Sequence, residues 1–321
     1  MAPLRYRAAE TLESALTLIG RTGSRPIAGG TDLLVAMEAG LDPATEVIDI
    51  TRASELTQIV ATGDGGLRIG GAARLEDIAG HPDVAKRFNS LALASAAVGT
   101  PTLRAMGTLG GNLCQRPRCW YLRSRIPCFK NGGTGCPAEH GENQYHAVFG
   151  GGPCHAAHPS DPAVALLALD AVIVVRGADT TRRIGIEQLY ADAATNPLSE
   201  TTLAGGEIIE AIELAPAAAG GAQLFTKLMQ RGAGDFATVS LAGVKRLDGT
   251  VRLVFGGVGP APLRVNPSVE EDVESGELDQ DSVDALAERA MYDAKPLELN
   301  GYKVQQAAAL LRRAMLELSR A

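Results

Sequence analysis

The chain has 321 residues, of which 45% are hydrophobic and 21% charged, a composition typical of a globular protein with two or three domains. Its net charge of -7 and pI near 5.4, together with the absence of Lys/Arg runs, disfavour binding to DNA or RNA. No apolar stretch approaches the ~18 residues that a membrane span needs, and the N-terminal segment has no apolar signal-peptide core. We expect no membrane span and no export signal, although a signal-bearing partner can still co-export a folded chain.

The N-terminal segments predict helices and strands around a glycine turn. Residues 12–19 carry an apolar stripe at helical spacing, which predicts the first helix. In RPIAGGTDLL, a short strand at 26–28 runs into Gly29–Gly30, and a helix begins at Thr31 or Asp32. Such a turn presents backbone N–H groups that suit a phosphate or diphosphate, although for a lone turn an ordinary strand–turn–helix corner is the simpler interpretation. The G-x-G-x-x-G dinucleotide fingerprint is absent from the sequence.

Short elements continue up to a second glycine-rich passage. The predicted strands are at 46–50, 56–60 and 67–72, and the predicted helices are at 74–80 and 84–99. The passage TPTLRAMGTLGGNL at 100–113 then shows little periodicity. Its glycines, Gly107, Gly110 and Gly111, allow the backbone to lie directly against a ligand or another segment.

Beyond the central stretch, DPAVALLALDAVIVVRG predicts a helix that runs into a buried strand, with Asp161 at the N-cap and Pro162 at the first helical position. Later segments alternate apolar and polar residues, which predicts strands at 183–186, 207–214, 223–229, 237–245 and 251–257. Residues 281–320 carry a helical pattern. We therefore expect an α/β N-terminal half of about 175 residues, followed by a sheet that C-terminal helices cover.

The stretch from Gly110 to Asp161 contains all five cysteines, four of the five histidines and the only tryptophan. The cysteines are Cys114, Cys119, Cys128, Cys136 and Cys154, in the spacing C-x4-C-x8-C-x7-C-x17-C. Neither the short C-x2-C pair of structural zinc sites nor a common ferredoxin spacing occurs, so spacing alone does not identify a metal. An odd cysteine count without a signal peptide indicates reduced thiols rather than a disulfide framework.

The composition between the cysteines favours a bound metal cluster. A loop this long, rich in Pro and Gly and without regular periodicity, needs something other than a hydrophobic core to hold it. Basic residues that would offset the negative charge of a tetrathiolate cluster are Arg116, Arg118, Arg123, Arg125 and Lys130. An iron–sulfur cluster is the favoured interpretation, and a zinc site and a flexible loop with incidental thiols are the alternatives. We expect the histidines to be ordinary loop residues and Trp120 to be a lid on the cluster region.

Three motifs together resemble the FAD-binding subunits of the xanthine dehydrogenase (molybdenum hydroxylase) family, namely PIAGGTDLL at 26–34, TLGGNL at 108–113 and HPSD at 158–161. The resemblance implies that both glycine passages hold the FAD diphosphate. In that family the second passage usually continues within a few residues into a Pro-x-x-Asp segment, whereas here residues 114–156 intervene and contain every cysteine. The implied FAD contacts are Pro26, Ile27, Ala28, Gly29, Gly30, Thr31, Asp32, Leu33, Leu34, Thr108, Gly111, Asn112, Ser160, Asp161 and Lys227.

A subset of the family carries a [4Fe-4S] cluster in such an insertion, and the segments RCWY, PCFK, GCPA, NQYHAVFGG and CHAAHPSD resemble its aldehyde oxidoreductase branch. The implied cluster ligands are Cys119, Cys128, Cys136 and Cys154, with Cys114 as a bystander. The implied fold is α+β. It comprises a two-lobed FAD-binding domain of the PCMH/vanillyl-alcohol-oxidase type at 1–210, with the cluster-bearing insertion at 114–156, and a C-terminal sheet-and-helix domain of the CO dehydrogenase flavoprotein type at 211–321.

The resemblance implies an electron-transfer subunit of a heterotrimeric molybdenum aldehyde oxidoreductase. A partner with a molybdopterin cofactor would oxidise the substrate, a second partner with two [2Fe-2S] clusters would relay electrons, and FAD on this chain would pass them to an external acceptor. No residue here is expected to act as a catalytic acid or base. The alternatives are the flavin subunit of an aromatic acyl-CoA reductase of the hydroxybenzoyl-CoA reductase type and a cluster-bearing scaffold without flavin. The compartment would be the periplasm, through co-export, or the cytoplasm.

Overall fold

The computed structural model describes residues 4–321, and their strands form three separate sheets. The strands are β1 (Arg5–Ala8), β2 (Ser24–Ile27), β3 (Glu46–Asp49), β4 (Ile59–Ala61), β5 (Leu67–Gly70), β6 (Val172–Arg176), β7 (Thr181–Gly185), β8 (Ile208–Leu214), β9 (Ala222–Leu228), β10 (Val239–Lys245), β11 (Val251–Gly256) and β12 (Leu263–Arg264). The helices are α1 (Leu12–Ile19), α2 (Leu33–Glu38), α3 (Leu75–Gly80), α4 (Pro82–Arg87), α5 (Asn89–Ala96), α6 (Pro101–Met106), α7 (Leu109–Leu113), α8 (Trp120–Arg123), α9 (Asp161–Ala168), α10 (Ile186–Leu189), α11 (Pro267–Glu274), α12 (Gln280–Ala290) and α13 (Tyr302–Ser319).

The first lobe is a three-stranded parallel sheet in the order β1-β3-β2, against which α1 packs. Thr11 caps α1, since its hydroxyl accepts a hydrogen bond from the Ser14 N–H at 3.2 Å. The apolar stripe of α1 then lies on the core that contains Ile48. Strand β1 is absent from the sequence-based expectations because it is an edge strand, RYRA, whose first three residues are exposed and carry no apolar pattern.

The second lobe is a five-stranded antiparallel sheet in the order β4-β5-β8-β6-β7. Its core joins Leu67 of β5, Leu91 of α5 and Ile173 of β6, all fully buried. Every residue of α9 is buried, because this helix lies between the second lobe and the third sheet. Strand β8 pairs with both β5 and β6, so the domain boundary predicted at 210/211 falls inside a strand of this sheet.

The third sheet, in the order β12-β11-β10-β9, is antiparallel and packed on both faces. Along β10, Leu241 faces a core shared with α11, α12 and α13, whereas Ala242 and Val244 belong to the core of the second lobe. This alternation follows from the two-residue period of a strand. The C-terminal domain is therefore fixed directly against the second lobe.

Residues 114–156 differ from the rest of the fold. They contain one four-residue helix, α8, and two 3-10 turns at Phe129–Asn131 and Pro137–Glu139. The expectation that this insertion lacks regular structure is confirmed. Within residues 4–321, no helix is long and apolar enough to cross a membrane.

Candidate functional site

The glycine turn between β2 and α2 forms one wall of a cleft. Gly30 has φ +68°, a left-handed conformation that favours glycine. At Gly29 an added Cβ would lie 1.8 Å from the carbonyl oxygen of Met106, so only glycine permits the turn to lie against the end of α6. Within the described chain, the N–H groups of residues 29–32 donate no backbone hydrogen bond outside a helix or strand. These amides are therefore free to bind a diphosphate.

The second glycine passage uses its amides differently. Thr108 caps α7, and its hydroxyl accepts from the Gly111 N–H at 3.3 Å. The N–H of Leu109 donates to the Ala73 carbonyl at 2.9 Å, and that of Gly110 to the Gly71 carbonyl at 2.7 Å. The first passage therefore has free N–H groups, whereas those of Leu109, Gly110 and Gly111 in the second passage are already bonded. The second passage instead lets a ligand approach the backbone closely, because Gly111 has no side chain and is exposed at the cleft surface.

The two passages, the start of the insertion and the C-terminal domain enclose a cleft of about 330 Å³. Of the residues predicted to contact FAD, all line the cleft except two. Leu34 lies on α2 with 47% of its surface exposed, and Ser160 is buried behind Asn112, whose Oδ1 accepts from its hydroxyl at 2.6 Å. Apolar lining residues that carry no motif, and that sequence reasoning therefore missed, are Val98, Leu203, Ile208, Ile209 and Phe236.

Asp161 and Lys227 join the two domains at the floor of the cleft. Lys227 Nζ lies 2.7 Å from Asp161 Oδ2, and both side chains are only 5% exposed. Lys227 also donates to the Ala97 carbonyl at 2.9 Å. Burial raises the pKa of Asp161, and the charge and hydrogen bond of Lys227 oppose that rise. The carboxylate is thus held by Lys227, which leaves its second oxygen for a ligand.

Asp32 ties the insertion to the glycine turn. Its carboxylate accepts from the Arg116 N–H at 2.9 Å and from the guanidinium groups of Arg118 and Arg123. Burial raises the pKa of Asp32, but these three partners outweigh burial and hold it below its usual value. The guanidinium groups of Arg118 and Arg123 thus face Asp32 at the glycine turn, whereas that of Arg116 pairs with Glu200. That the basic residues offset the charge of a cluster stays a prediction.

Four of the five cysteines line one small cavity inside the insertion: Cys119, Cys128, Cys136 and Cys154. Lys130 lines it too, and its charge opposes the rise that burial causes in the pKa of Cys154. Burial also raises the pKa of Cys119 to about 11, so a metal that binds this thiol must displace its proton. The Nε2 atom of His146 lies 3.3 Å from Cys119 Sγ.

Cys114 stands apart from this cavity. It caps the C-terminal end of α7 and lines the wall of the cleft instead. Burial raises the pKa of its thiol to about 12. The structure therefore brings together the four cysteines that the motifs select and separates the fifth.

Four cysteine thiols around one cavity are a set of ligands for a metal group. Four thiolates can bind one tetrahedral zinc ion, or one thiolate can bind each iron of a four-iron cluster. The arrangement of the thiols therefore suits a metal group and does not by itself identify the metal.

The C-terminal domain holds the far end of the insertion through two polar side chains that sequence reasoning missed. Lys303 is fully buried, and its Nζ donates to the carbonyls of Tyr145, His146 and Gly257 at 3.3, 2.9 and 2.5 Å. Burial lowers its pKa to about 7. Asn300 donates to the His146 carbonyl at 3.2 Å. Both residues lie in the helical C-terminal pattern, where a lysine at a buried position gives no distinctive signal.

Comparison with known proteins agrees with this architecture. Residues 2–218 match the family described as the FAD binding domain in molybdopterin dehydrogenase, and residues 225–318 match the CO dehydrogenase flavoprotein C-terminal domain. The chain is 35% identical to the aldehyde oxidoreductase FAD-binding subunit PaoB of Escherichia coli K12, over 95% of this chain and 94% of the relative. It is 26% identical to the carbon monoxide dehydrogenase medium chain of Hydrogenophaga pseudoflava, over 97% and 95%.

Solved structures show the same fold. The carbon monoxide dehydrogenase of Hydrogenophaga pseudoflava superposes with a TM-score of 0.75 at 23% identity, over 99% of this chain and 97% of that one. Quinoline 2-oxidoreductase from Pseudomonas putida 86 superposes with a TM-score of 0.75 at 20% identity, over the same shares. The expected FAD-binding and CO dehydrogenase flavoprotein domains are confirmed. The chain belongs to the FAD-binding subunits of the molybdenum hydroxylases, which are oxidoreductase subunits.

Proposed function

We propose that this chain is the FAD- and [4Fe-4S]-containing electron-transfer subunit of a heterotrimeric molybdenum aldehyde oxidoreductase. It receives electrons from the two [2Fe-2S] clusters of one partner, while a molybdopterin partner oxidises the aldehyde. FAD on this chain passes the electrons to an external acceptor. The 35% identity to an aldehyde oxidoreductase subunit over nearly the whole chain supports the substrate class.

The observation that carries the cluster assignment is the selective convergence of the cysteines. Cys119, Cys128, Cys136 and Cys154 line one cavity, whereas Cys114 lies in the wall of the FAD cleft. A flexible loop with incidental thiols gives no reason for this division. A four-iron cluster takes one thiolate at each iron, which matches four cysteines around a shared space.

The residues of the cleft would bind FAD by distinct means. The free N–H groups of residues 29–32 suit the diphosphate, and Asn112 and Asp161 offer polar atoms beside it. The apolar surface of Ile209 and Phe236 suits a flat ring and excludes water from it. Bound FAD supplies the ability to accept electrons singly and to release them as a pair. The chain binds and orients the cofactor, and no side chain is assigned a proton transfer.

The test is metal, sulfide and flavin analysis of the purified native complex, with cysteine variants as internal comparison. We expect one FAD, molybdenum and about eight irons per assembly, four of them on this chain. Cys136→Ser should remove about four irons, whereas the matched variant Cys114→Ser should retain all of them. Zinc in place of iron, or equal iron in both variants, would contradict the assignment.

Whether the cluster transfers electrons can be tested separately from whether it is present. We propose that it is structural and holds the insertion between the two domains. A Cys136→Ser complex that folds, binds FAD and transfers electrons at the normal rate would support this role. One that folds and binds FAD but transfers no electrons would place the cluster in the electron path instead.

Two alternatives make different predictions in the same preparation. A flavin subunit of an aromatic acyl-CoA reductase would reduce its acyl-CoA substrate and leave aldehydes unchanged. A scaffold without flavin would release no yellow chromophore on acid treatment, and the match of residues 2–218 to the FAD-binding family disfavours it. For the compartment, we propose co-export to the periplasm with a signal-bearing partner, and fractionation of cells that lack that signal tests it against a cytoplasmic location.

A further inference from the structure

The glycine turn that suits a diphosphate carries a carboxylate of its own. Asp32 lies at the N-cap of α2, lines the cleft, and contributes one of the free amides of residues 29–32. Despite burial, its arginine partners hold its pKa below the ordinary value, so the side chain is ionised at neutral pH. A negative charge at this position repels a diphosphate, which is itself an anion. The turn therefore needs positive charge beside Asp32 if it is to hold FAD.

The insertion brings two positive charges to this one carboxylate. Arg118 Nη1 donates to Asp32 Oδ1, and Arg123 Nη2 lies 3.0 Å from the same oxygen. The arginine side chains are largely buried, with 27% and 16% of their surfaces exposed. Because guanidinium groups stay protonated in proteins, one carboxylate does not neutralise both of them. The net charge beside the glycine turn is therefore positive.

The rest of the cleft has no such surplus. Among the described lining residues, each of the other carboxylates has a cationic partner: Asp42 with Arg25, Asp161 with Lys227, Glu207 with Arg182, and Asp235 with Arg231. Arg116, which also lines the cleft, shares Glu200 with Lys130. The positive surplus of the cleft therefore comes from the insertion, and it lies on the side where the free amides are.

Arg118 is held in place before a ligand binds. Its Nη2 donates to Gln115 Oε1 at 3.1 Å, and its guanidinium carbon lies 4.8 Å from the centre of the Phe236 ring. Asp32, Gln115 and Phe236 all line the cleft, so the guanidinium is fixed among the cleft walls. Each Nη atom carries two N–H groups and uses one of them in these bonds. An arginine that is already ordered loses little further entropy when it binds an oxyanion.

We propose that Arg118 is a FAD-binding residue that supplies the counter-charge of the FAD diphosphate. The inference rests on the FAD binding proposed above and extends the flavin site to the insertion. Asp32 positions the guanidinium, and Arg123, which does not line the cleft, makes the group around Asp32 net positive. Arg118 and the free amides of the glycine turn act on the same anionic group. The insertion thus takes part in flavin binding, in addition to holding the group that its cysteines bind.

Equilibrium dialysis of the full chain against FAD tests this inference, because it measures binding without turnover. Arg118→Met removes the charge but keeps most of the apolar stem, and should weaken FAD binding by about tenfold. Raising the KCl concentration by about tenfold should weaken FAD binding to the wild type several-fold and leave that to Arg118→Met nearly unchanged. Arg118→Lys retains the charge and should keep the salt dependence. Arg125→Met, at an exposed arginine of the insertion outside the cleft, is the matched control and should bind FAD as the wild type does.

Iron content and the free energy of unfolding are measured in the same samples. Normal FAD affinity in Arg118→Met would overturn the inference, and so would a lower affinity that keeps the full salt dependence, since Arg118 would then act on the fold and not on an anion. If Arg118→Met fails to fold, a salt dependence that the wild type and Arg118→Lys share supports the inference, and its absence from either overturns it. A wild-type chain that binds no FAD contradicts the proposed function as well, whereas salt-independent FAD binding contradicts this inference alone.

Discussion

The FAD cleft and the cysteine insertion are neighbours that are held in opposite ways. The cleft is built from regular elements, and the glycine turn that forms its wall is fixed by the contact of Gly29 with the end of α6. The insertion has almost no regular structure, and polar side chains from both domains hold it at its ends. Packed helices and strands therefore form most of the cleft, with the start of the insertion at one side, whereas the insertion itself depends on a few buried charges and on the group that the cysteines bind.

Because the two regions are held differently, a single substitution should be able to affect one region and leave the other unchanged. Changes in the packing of the cleft should remove FAD and leave the insertion intact. Changes in the buried polar anchors should loosen the insertion and leave the cleft intact. Asp32 lines the cleft and binds three arginines of the insertion, so its substitution should affect both regions.

The largest effect is expected from Gly29→Ala. The added Cβ would lie 1.8 Å from the Met106 carbonyl oxygen, and neither backbone can move without displacing the turn. We expect a loss of about 3 kcal/mol in the free energy of unfolding and loss of bound FAD, with the iron content unchanged. Flavin analysis and denaturant unfolding measure both quantities. The control is Gly63→Ala, where an added Cβ meets nothing within 4 Å. Normal FAD content in Gly29→Ala would show that the turn is not the cofactor wall.

The second prediction concerns Lys303→Met, which should act on the insertion alone. Removing the ammonium leaves the buried carbonyls of Tyr145 and Gly257 without a donor and that of His146 with Asn300 alone, at a cost of about 3 kcal/mol. The segment around Tyr145 should become sensitive to proteolysis and iron should be lost, while FAD is retained. Limited proteolysis with mapping of the cut site measures this. Lys86→Met, at an exposed position on α4, is the control and should resist cleavage. Cleavage elsewhere with an intact insertion would contradict the role of Lys303 as an anchor.

The motifs of the two regions could be predicted from the sequence, but the side chains that anchor the insertion could not. The glycine turn and the four cysteines were predicted because short motifs mark them, and most of the long helices and strands were predicted from their periodicity. The anchors were not, because the pairing of Asp32 with Arg118 and of Lys303 with the Tyr145 carbonyl joins residues that are far apart in the chain. Nothing in the local pattern distinguishes a buried lysine on α13 from an exposed one.

The third prediction is that Asp32→Asn loosens both regions by a smaller amount. The amide keeps the shape of the side chain but leaves Arg118 and Arg123, which are 27% and 16% exposed, without a counter-charge. We expect a loss of about 2 kcal/mol, faster release of FAD and easier cleavage of the insertion. Asp272→Asn breaks the exposed pair with Arg289 and should cost less than about 0.5 kcal/mol. Equal effects in the two variants would mean that Asp32 is an ordinary surface partner.

The fourth prediction is a pH dependence at the point where the insertion rejoins the FAD domain. Burial lowers the pKa of His158 to about 3, from an ordinary value of 6.5. The unfolded chain therefore binds a proton below about pH 6.5 that the folded chain excludes, and stability falls as the pH falls toward 3. Between about pH 6 and 4.5 this group should cost about 2 kcal/mol.

His158→Leu removes the titrating ring, so its unfolding free energy should fall less than that of the wild type over the same pH interval. Denaturant unfolding at each pH measures the difference, and His140→Leu, which removes an exposed histidine of the insertion, is the control. Identical pH slopes for the wild type and His158→Leu would mean that the folded chain protonates this ring. Water would then reach the junction between the cleft and the insertion, and His158 would not be buried there in solution.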